Sequence, residues 1–364
     1  MVLLTREISQ GRTHGRSDLS RIFNELNCMQ CPKITDLPAP PAGRTGWPWT
    51  VPEDGTRRTE HGERKWPRIT VVTPSFNQGK FIEETIRSVL LQGYEDLEYI
   101  IMDGGSTDGT VAIIRKYEPW LTYWQSQPDK GQTNAINAGL SRATGNVLCY
   151  LNSDDVYEPS TFSRVGSLFA DDTRDLIYGD YATIDELGDV VRKVCSPVFD
   201  VGTLMLDNYI AQPTVFMARH VWASVGPFNA SLHYSMDYDF WLRAAAKGFS
   251  FQKEPSALAR FRLHGESKTQ SQEYGFWHDC IQLHEELRAS ISTPEEMRSL
   301  SSRALARFHW RAASASWCSG NLEGARSHLS QGADFYFRDP FLANLHIALQ
   351  LILQDEDGML VPIR

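Results

Sequence analysis

The sequence predicts an α/β protein in which helices flank a mostly parallel sheet, with a helical extension at the C-terminal end. From residue 67 to about 265, short apolar runs alternate with apolar residues at helical spacing. Repeated β-α-β units of this length form parallel sheets with helices on both faces. From about residue 270 the pattern is helical throughout. We therefore divide the chain into an N-terminal arm (1–66), an α/β domain (67–268) and a C-terminal helical region (269–364).

Composition and charge exclude several classes of protein. The 364 residues are 41% hydrophobic and 22% charged, which suits a globular chain that folds without disulfides. The formal net charge of −9 argues against a nucleic-acid-binding protein, because phosphate binding needs a surplus of Lys and Arg. Cys28 and Cys31 have the spacing of zinc ligands, but no second pair follows them. We interpret them as incidental thiols.

The N-terminal arm is rich in proline and contains little hydrophobic periodicity. Pro-rich stretches at 37–43 and 46–52 favour extended backbone. Trp47, Trp49 and Trp66 would be costly to leave exposed to water. The arm is therefore expected to lie across the domain that follows it.

The first elements of the α/β domain follow from its apolar runs and its helix breakers. Residues 69–73 form a predicted strand that Pro74 ends, and apolar residues over 81–90 predict a helix that Gly93 ends. A second strand covers 97–102. These elements make up the first β-α-β unit.

The later elements continue the alternation and then change it. A helix is predicted over 109–117, a short strand near 121–126, a helix over 132–142 and a strand over 147–151. Beyond residue 175 the pattern becomes mixed, with a hairpin expected to turn at Glu186-Leu-Gly188.

The helical region has a weak similarity to one tetratricopeptide-like helix pair. The residues that carry it are Trp310, Trp317, Gly320, Ala325, Leu329 and Pro340. Repeat proteins generally need about three units, so a helical cap on the α/β domain is an equally good interpretation.

Polar residues follow three of the predicted strands. The first strand is followed by residues 73–77, the second by Asp103, and the fourth by Asn152-Ser-Asp-Asp155. Ligands of open α/β sheets bind at the carboxyl ends of the strands. These residues are therefore the candidate site.

The glycine-rich segment after the second strand is not a dinucleotide-binding loop. Its glycines do not have the GxGxxG spacing, and Asp103 would repel a diphosphate. A carboxylate there can instead accept hydrogen bonds from a ribose hydroxyl or a base. Asp108 is expected to cap the next helix, while Gly104 and Gly105 permit a tight turn.

Two further carboxylate groups admit both a chemical and a structural role. Asp154 and Asp155 offer the oxygen ligands that Mg²⁺ and Mn²⁺ prefer, although a turn with a capping aspartate has the same pattern. Asp237 opens a predicted amphipathic helix, where it is either an N-cap or a general base. The local patterns alone leave both questions open.

Six segments in order resemble the family 2 glycosyltransferases, inverting enzymes with a GT-A fold, over roughly residues 46–270. They are Val72-Thr-Pro-Ser-Phe-Asn-Gln78, Ile101-Met-Asp-Gly-Gly-Ser-Thr-Asp-Gly109, Pro128-Asp-Lys-Gly-Gln132, Ala135-Ile-Asn-Ala-Gly139, Leu151-Asn-Ser-Asp-Asp155 and Met236-Asp-Tyr-Asp-Phe-Trp-Leu-Arg243. Each segment is a weak signal, whereas the ordered set is a strong one.

The resemblance implies a role for each candidate residue. Those implied to bind the donor nucleotide are Thr73, Pro74, Phe76, Asp103, Asp129, Lys130, Asn152 and Ser153. Asp154 corresponds to the metal-binding aspartate of the family's DXD motif, and Asn152 replaces the first acid of that motif. Asp155 and His264 are the candidates to complete the coordination of Mg²⁺ or Mn²⁺.

The resemblance also implies the remaining parts of the reaction. Asp237 corresponds to the catalytic base, with Met236 in place of the acid that often precedes it. Arg260 and Arg262 resemble a segment that closes over the donor phosphates or the acceptor, although a strand with outward cations has the same pattern. The acceptor hydroxyl would attack the anomeric carbon as the nucleoside diphosphate leaves.

The expected partners are a nucleotide-sugar donor and a glycan, lipid-linked or protein acceptor, as in the biosynthesis of cell-surface polysaccharides. No apolar run reaches the ~18–20 residues of a membrane span. We expect a cytoplasmic protein, and contact with the inner face of the membrane stays open.

Two alternatives to a glycosyltransferase remain at this stage. A sugar nucleotidyltransferase on a related fold would leave Asp237 without a purpose. An inactive domain with a helical docking scaffold is supported only by the loss of the first DXD acid at Asn152.

Overall fold

The computed structural model describes residues 31–50, 66–171, 173–265, 273–290 and 292–336. Within these ranges a nine-stranded sheet has the order β3-β2-β1-β4-β8-β6-β9-β5, and β7 pairs with β6. Helices flank the sheet, and the helical region follows it. This architecture confirms the predicted α/β class.

The first half of the sheet is parallel and was predicted closely. Its strands are β1 (Ile69–Ser75), β2 (Leu97–Asp103), β3 (Tyr123–Ser126) and β4 (Val147–Tyr150). The helices between them are α1 (Ile82–Leu90), α2 (Thr110–Tyr117) and α3 (Gln132–Arg142). β1 and β2 are buried along their whole length, as strands covered on both faces must be. Their carboxyl ends therefore lie at one edge.

The second half of the sheet is mixed, as the change of pattern beyond residue 175 indicated. Its strands are β5 (Val156–Tyr157), β6 (Leu176–Ile184), β7 (Val190–Val194), β8 (Phe216–Ala218) and β9 (Phe251–Arg262). β6 runs parallel to β9 and antiparallel to β7 and β8. The β6–β7 pair is the predicted hairpin, and Gly188 in its turn has a φ of 96°.

The helices of this half and of the C-terminal region complete the described chain. They are α4 (Thr161–Leu168), α5 (Val201–Leu206), α6 (Arg219–Val225), α7 (Met236–Ala246), α8 (Glu273–Ala289), α9 (Glu295–Cys318) and α10 (Leu322–Tyr336). The described helices include none that is long and apolar enough to cross a membrane. Pro340 of the tetratricopeptide-like pattern lies outside the described residues.

The prediction that Pro74 ends the first strand was wrong, because β1 continues to Ser75. The carbonyl of Val72 accepts a bond from Leu151, so residues 72 and 74 direct their backbone groups toward β4. The β1–β4 ladder ends at Val72, so the missing N–H of Pro74 breaks no pair there. On its other side β1 stays paired with β2 as far as Ser75.

The described part of the arm packs against the α/β domain. Trp47 donates its indole N–H to the carbonyl of Tyr157 at 2.7 Å, and Trp49 is buried. Arg87 of α1 donates to the carbonyls of Pro38, Pro48 and Trp49 and is itself fully buried. Residues 31–50 are thus attached to the helix that precedes β2.

The C-terminal helices share the hydrophobic core of the α/β domain. Trp277 and Leu287 of α8 and Phe308 of α9 are buried in the same cluster as the sheet residues. Tyr238 of α7 donates to the carbonyls of Leu204 and Met205, and its hydroxyl lies 3.1 Å from His284 Nε2 of α8. The helical region therefore packs directly against α5 and α7.

Candidate active site

Three strand ends gather the candidate residues at one edge of the sheet. β1 pairs in parallel with β2 on one side and with β4 on the other. The loops that follow these strands begin at Phe76, Gly104 and Leu151. The expected ligand edge of an open α/β sheet is therefore formed.

Asp103 closes the loop that follows β2. Its carboxylate accepts hydrogen bonds from the N–H groups of Gly105 (3.1 Å) and Ser106 (2.9 Å), from the Ser106 hydroxyl, and from the Ser126 hydroxyl at 2.6 Å. A carboxylate has about four acceptor positions, so these bonds use most of its capacity. In this structure Asp103 shapes the loop, and it is only 1% exposed.

The loops after β1 and β2 are bonded to each other. Asn77, at a φ of 53°, accepts from the N–H of Thr107 and donates its own N–H to the Ser106 hydroxyl. Asp108 accepts from the N–H of Thr110 and from that of Gly79, both at 2.9 Å. The prediction that Asp108 caps α2 was wrong, because Gly109 is the N-cap residue and has no side chain to cap the helix, whereas Asp108 binds the N–H of Thr110 from one residue earlier. The two loops form one surface.

The other predicted nucleotide residues differ in how accessible they are. The Thr73 hydroxyl is buried 3.1 Å from that of Tyr99, so its side chain belongs to the core. Phe76 is 60% exposed beside the paired loops. Pro74 is buried within β1, whereas Asp129 and Lys130 are exposed.

Asp129 lies against the glycine turn after β2. It accepts from the N–H of Gly131 at 2.7 Å, and a Cβ built on Gly104 would lie 3.1 Å from its carboxylate. A side chain at Gly104 would therefore meet Asp129. The two segments, 103–106 and 128–131, lie side by side, as their implied shared role requires.

Asn152 sits in a chain of side-chain amides. It accepts from Gln132 Nε2 at 2.7 Å and lies 3.4 Å from Gln212 Oε1, while Gln212 donates to the carbonyl of Tyr150 at 2.8 Å. Ser153 beside it is buried. The amide at Asn152 thus keeps a polar position at the start of the loop without adding a third carboxylate.

Asp154 and Asp155 face different partners. Asp154 Oδ2 lies 2.9 Å from His264 Nε2, which joins the loop after β4 to the end of β9. Asp155 is buried and accepts from the backbone N–H of Arg262 at 3.0 Å. Burial, followed by the charge of Asp154, raises the pKa of Asp155 well above its usual range.

A divalent cation fits Asp154 and His264 better than it fits Asp155. Mg²⁺ is commonly held by one or two carboxylates together with substrate phosphates. Asp154 and His264 supply one carboxylate and one imidazole beside the predicted donor surface. No group of three or more His, Cys, Asp or Glu side chains in the described ranges is arranged to hold a metal unaided. A cation there would need the diphosphate as a further ligand.

Asp237 lies in the first turn of α7. It is half-buried and accepts from the N–H of Tyr238 at 2.7 Å. Burial raises the pKa of its carboxyl to about 6, against the lowering effects of that backbone bond and of the Asn208 side chain. A carboxylate with this pKa is largely ionised at neutral pH and has appreciable proton affinity.

α7 is joined to the loop edge beside Asn152. Thr133 of α3 lies 2.7 Å from the sulfur of Met236, next to Asp237. Burial, followed by the charges of Asp237 and Asp155, raises the pKa of Tyr150 at the end of β4. The charges of both carboxylates thus act on Tyr150, and Asp237 belongs to the same candidate site.

Arg260 and Arg262 do not reach the surface formed by these loops. Arg260 makes a two-pronged pair with Glu158, both distances being 2.9 Å. The Arg262 side chain is 0% exposed. It donates to the carbonyls of Asp154 and Asp185 and forms an ion pair with Glu84. Both guanidinium groups are paired within the protein, and the expectation that they contact phosphates or the acceptor stays a prediction.

Four residues of the site were not among the predicted ones: Gln132, Tyr150, Asn208 and Gln212. Gln132 ends the Pro128-Asp-Lys-Gly-Gln132 segment, so its position was visible in the sequence. Gln212 and Asn208 belong to a stretch without periodicity, and only the fold brings them to β4 and to Asp237.

Comparison with known proteins shows similarity to glycosyltransferases. The family model described as Glycosyl transferase family 2 matches residues 70–219. The PGL/p-HBAD biosynthesis glycosyltransferase of Mycobacterium bovis (strain BCG) is 29% identical over 185 residues, covering 49% of this chain and 69% of that protein. An uncharacterized glycosyltransferase of Rickettsia felis is 28% identical over 214 residues, 55% of this chain and 35% of that one.

Solved structures share the fold at low sequence identity. S. aureus TarS 1-349 in complex with UDP-GlcNAc has a TM-score of 0.55 at 18% identity, covering 74% of this chain and 80% of that one. The mannosyltransferase PcManGT from Pyrobaculum calidifontis, in complex with GDP-Man and Mn2+, has a TM-score of 0.53 at 18% identity. This match covers 79% of this chain and 86% of that one. Against a longer TarS chain the match spans 43% of its length. The family match favours a glycosyltransferase over a sugar nucleotidyltransferase.

Proposed function

We propose that this chain transfers a sugar from a nucleotide-diphosphate sugar to an acceptor hydroxyl with inversion, because residues 70–219 match the family model described as Glycosyl transferase family 2. The donor would lie on the paired loops after β1 and β2, beside Asp154. The acceptor would approach from the side of α7. This arrangement separates the leaving group from the group that accepts the proton.

The observation that carries the proposal is the state of Asp237. A carboxyl whose pKa is about 6, at the loop edge of the sheet, is suited to accept the proton of a hydroxyl at neutral pH. The proton would leave the acceptor oxygen as that oxygen forms its bond to the anomeric carbon. The bond between that carbon and the diphosphate would break on the opposite face, which inverts the configuration.

The residues that would hold Mg²⁺ or Mn²⁺ are Asp154 and His264. Such a cation, when bound, offsets the negative charge that develops on the leaving diphosphate. Asn152 contributes no charge there, and its contacts with Gln132 and Gln212 keep the start of the loop in place. The requirement for a metal stays a proposal.

The nucleotide and the acceptor are proposed only by class. Similar folds are solved with UDP-GlcNAc and with GDP-Man and Mn2+, so UDP- and GDP-sugars are the donors to examine first. A relative is named for PGL/p-HBAD biosynthesis. We propose a glycan or lipid-linked acceptor in the biosynthesis of cell-surface glycans, with the active site on the cytoplasmic side of the membrane.

The decisive experiment is slow donor hydrolysis in the absence of acceptor. The full chain is incubated with Mn²⁺ and separately with UDP-glucose, UDP-N-acetylglucosamine and GDP-mannose, and release of the nucleoside diphosphate is measured. One donor should be hydrolysed, and hydrolysis should cease with EDTA. If none of a broader panel of nucleotide sugars is bound or hydrolysed, the proposed function is wrong.

A further inference from the structure

Arg262 is the most completely buried cation beside the candidate site. Its side chain is 0% exposed, and its guanidinium lies over the ring of Phe81 at 5.0 Å. Nε donates to the carbonyl of Asp154 at 2.8 Å, and Nη1 donates to the carbonyl of Asp185 at 2.8 Å. A planar guanidinium can hold several carbonyls at once, which an ammonium cannot do in the same geometry.

The backbone of Arg262 holds the same loop a second time. Its N–H donates to Asp155 Oδ1 at 3.0 Å. The loop Asn152–Asp155 is thus held by Arg262 at two successive residues, once through the side chain and once through the main chain. Thr85 of α1 adds a third bond by donating to the carbonyl of Asp155 at 2.7 Å.

Charge explains why this position needs a cation. Glu84 Oε2 lies 3.0 Å from Arg262 Nη2, and both side chains are almost inaccessible to water. Burial raises the pKa of Glu84, and the charge of Arg262 opposes that rise. Loss of the cation would leave the Glu84 carboxylate buried beside the loop without its ion-pair partner.

The β6–β7 turn and the N-terminal arm meet at the same cluster. Arg262 Nη1 also donates to the carbonyl of Glu186, at 3.2 Å. Arg44 of the arm donates to the carbonyl of Leu187 at 2.8 Å and lies 3.9 Å from Glu84. Arg262 therefore connects the loop after β4, helix α1 and the hairpin turn, and the arm covers this connection.

We propose that Arg262 is a positioning residue that fixes the loop Asn152–Asp155, and with it the Asp154 carboxylate, without contacting the donor. The proposal rests on the proposed function only in that this loop serves the donor; the connection itself is a property of the fold. It replaces the phosphate contact that the sequence suggested for Arg262. Arg260, two residues earlier on β9 and paired with Glu158, offers a matched comparison.

The test compares Arg262→Gln, Arg262→Lys and Arg260→Gln in the full chain by hydrogen–deuterium exchange, with Mn²⁺-dependent donor hydrolysis as the second measurement. In Arg262→Gln the amides of residues 152–155 should exchange about tenfold faster, as expected for the loss of a charge-assisted bond. Amides of β1 and β2 should keep their wild-type rates. Arg262→Lys should give a smaller increase, and Arg260→Gln none in this loop.

The two measurements separate the possible failures. Wild-type exchange at residues 152–155 in a folded Arg262→Gln chain would overturn the proposal, as would an equal increase over the whole sheet. If Arg262→Gln does not fold, Arg262→Lys decides, and unchanged loop exchange there also overturns it. If the wild-type chain hydrolyses no donor, the proposed function fails, while the exchange rates still decide the role of Arg262.

Discussion

Two aspartates at the same edge of the sheet are held in opposite ways. Asp103, after β2, is 1% exposed and accepts bonds from two backbone N–H groups and two hydroxyls. Asp237, at the start of α7, is half-buried and accepts one backbone bond, from Tyr238. Burial raises the pKa of Asp237 to about 6.

The difference shows how one residue type serves structure and chemistry. The carboxylate of Asp103 is occupied by hydrogen bonds within its own loop, whereas burial raises the pKa of Asp237 in spite of its bonds from Tyr238 and Asn208. Asp103 is therefore committed to the loop after β2, and Asp237 is suited to exchange a proton near neutral pH. The following changes test this contrast.

The largest effect is expected for Asp237→Asn. The amide keeps the shape of the side chain but cannot accept the proton, so transfer should fall by ~10²–10⁴-fold, the usual contribution of a general base. Donor affinity, measured by calorimetry with the donor found active, should stay within about twofold. The transfer rate reports a loss of chemistry, and the dissociation constant of the donor reports a loss of binding.

Asp239→Asn is the matched control for this change. Asp239 lies on the same helix, is buried and pairs with Arg243 at 2.7 Å. Its loss should lower stability and leave the transfer rate of the folded fraction nearly unchanged. Equal rates for Asp237→Asn and the wild-type chain would remove Asp237 from the mechanism and end the contrast with Asp103.

A smaller effect is expected for Asp154→Ala. Removal of this carboxylate leaves His264 as the remaining member of the pair, so nucleotide affinity in the presence of Mn²⁺ should fall by about 10–100-fold. The dissociation constants of UDP and GDP are measured by titrating each nucleotide into the protein, once in the presence of Mn²⁺ and once in the presence of EDTA. Glu158→Gln, which breaks the pair with Arg260, serves as control. Equal affinity of the wild-type chain with and without EDTA would contradict the role of Asp154.

The pH dependence of transfer follows from the raised pKa of Asp237. The base works only when ionised, and with a pKa of about 6 its ionised fraction falls by about tenfold between pH 7 and pH 5. The rate at subsaturating acceptor should therefore decline on the acid side with a midpoint near pH 6. The decline should persist in Asp239→Asn, with its midpoint moved slightly to lower pH because the charge of Asp239 contributes to the raised pKa of Asp237, and it should be lost in Asp237→Asn. A midpoint near pH 4, close to the usual pKa of an aspartate, would show that burial does not raise the pKa of Asp237.

The fold could be predicted from the sequence wherever local pattern and tertiary structure agree. Helix α3 runs over Gln132–Arg142, the range that apolar spacing indicated. The end of β1 could not be predicted, because whether Pro74 breaks a ladder depends on how far β4 runs beside it.

The structure brings the predicted strand-end residues to one edge of the sheet, and it adds contacts that the sequence did not indicate. The polar residues that follow the strands predicted that the loops of Asp103 and Asp154 lie together, because the carboxyl ends of neighbouring parallel strands lie at the same edge of a sheet. The burial that raises the pKa of Asp237 depends on segments distant in the sequence, so the sequence alone left its role open. The same holds for Arg262, whose partners Glu84, Asp154 and Asp185 come from three separate parts of the chain.

The smallest effect is expected for Asp103→Asn, which tests the structural half of the contrast. The N–H groups of Gly105 and Ser106 and the Ser126 hydroxyl all bind Oδ2 of Asp103, so an asparagine would keep its oxygen there and turn its nitrogen toward the Ser106 hydroxyl. The bonds lose the strengthening effect of the charge, so the loop should lose some order while the chemistry stays intact. We expect UDP or GDP affinity to weaken about fivefold, roughly 1 kcal/mol, with an unchanged transfer rate at saturating donor. Asp96→Asn, which removes the partner of Arg68 at the opposite end of β1, should leave affinity unchanged. A fall in the saturated rate with constant affinity would make Asp103 a participant in the reaction, and the two aspartates would no longer differ in kind.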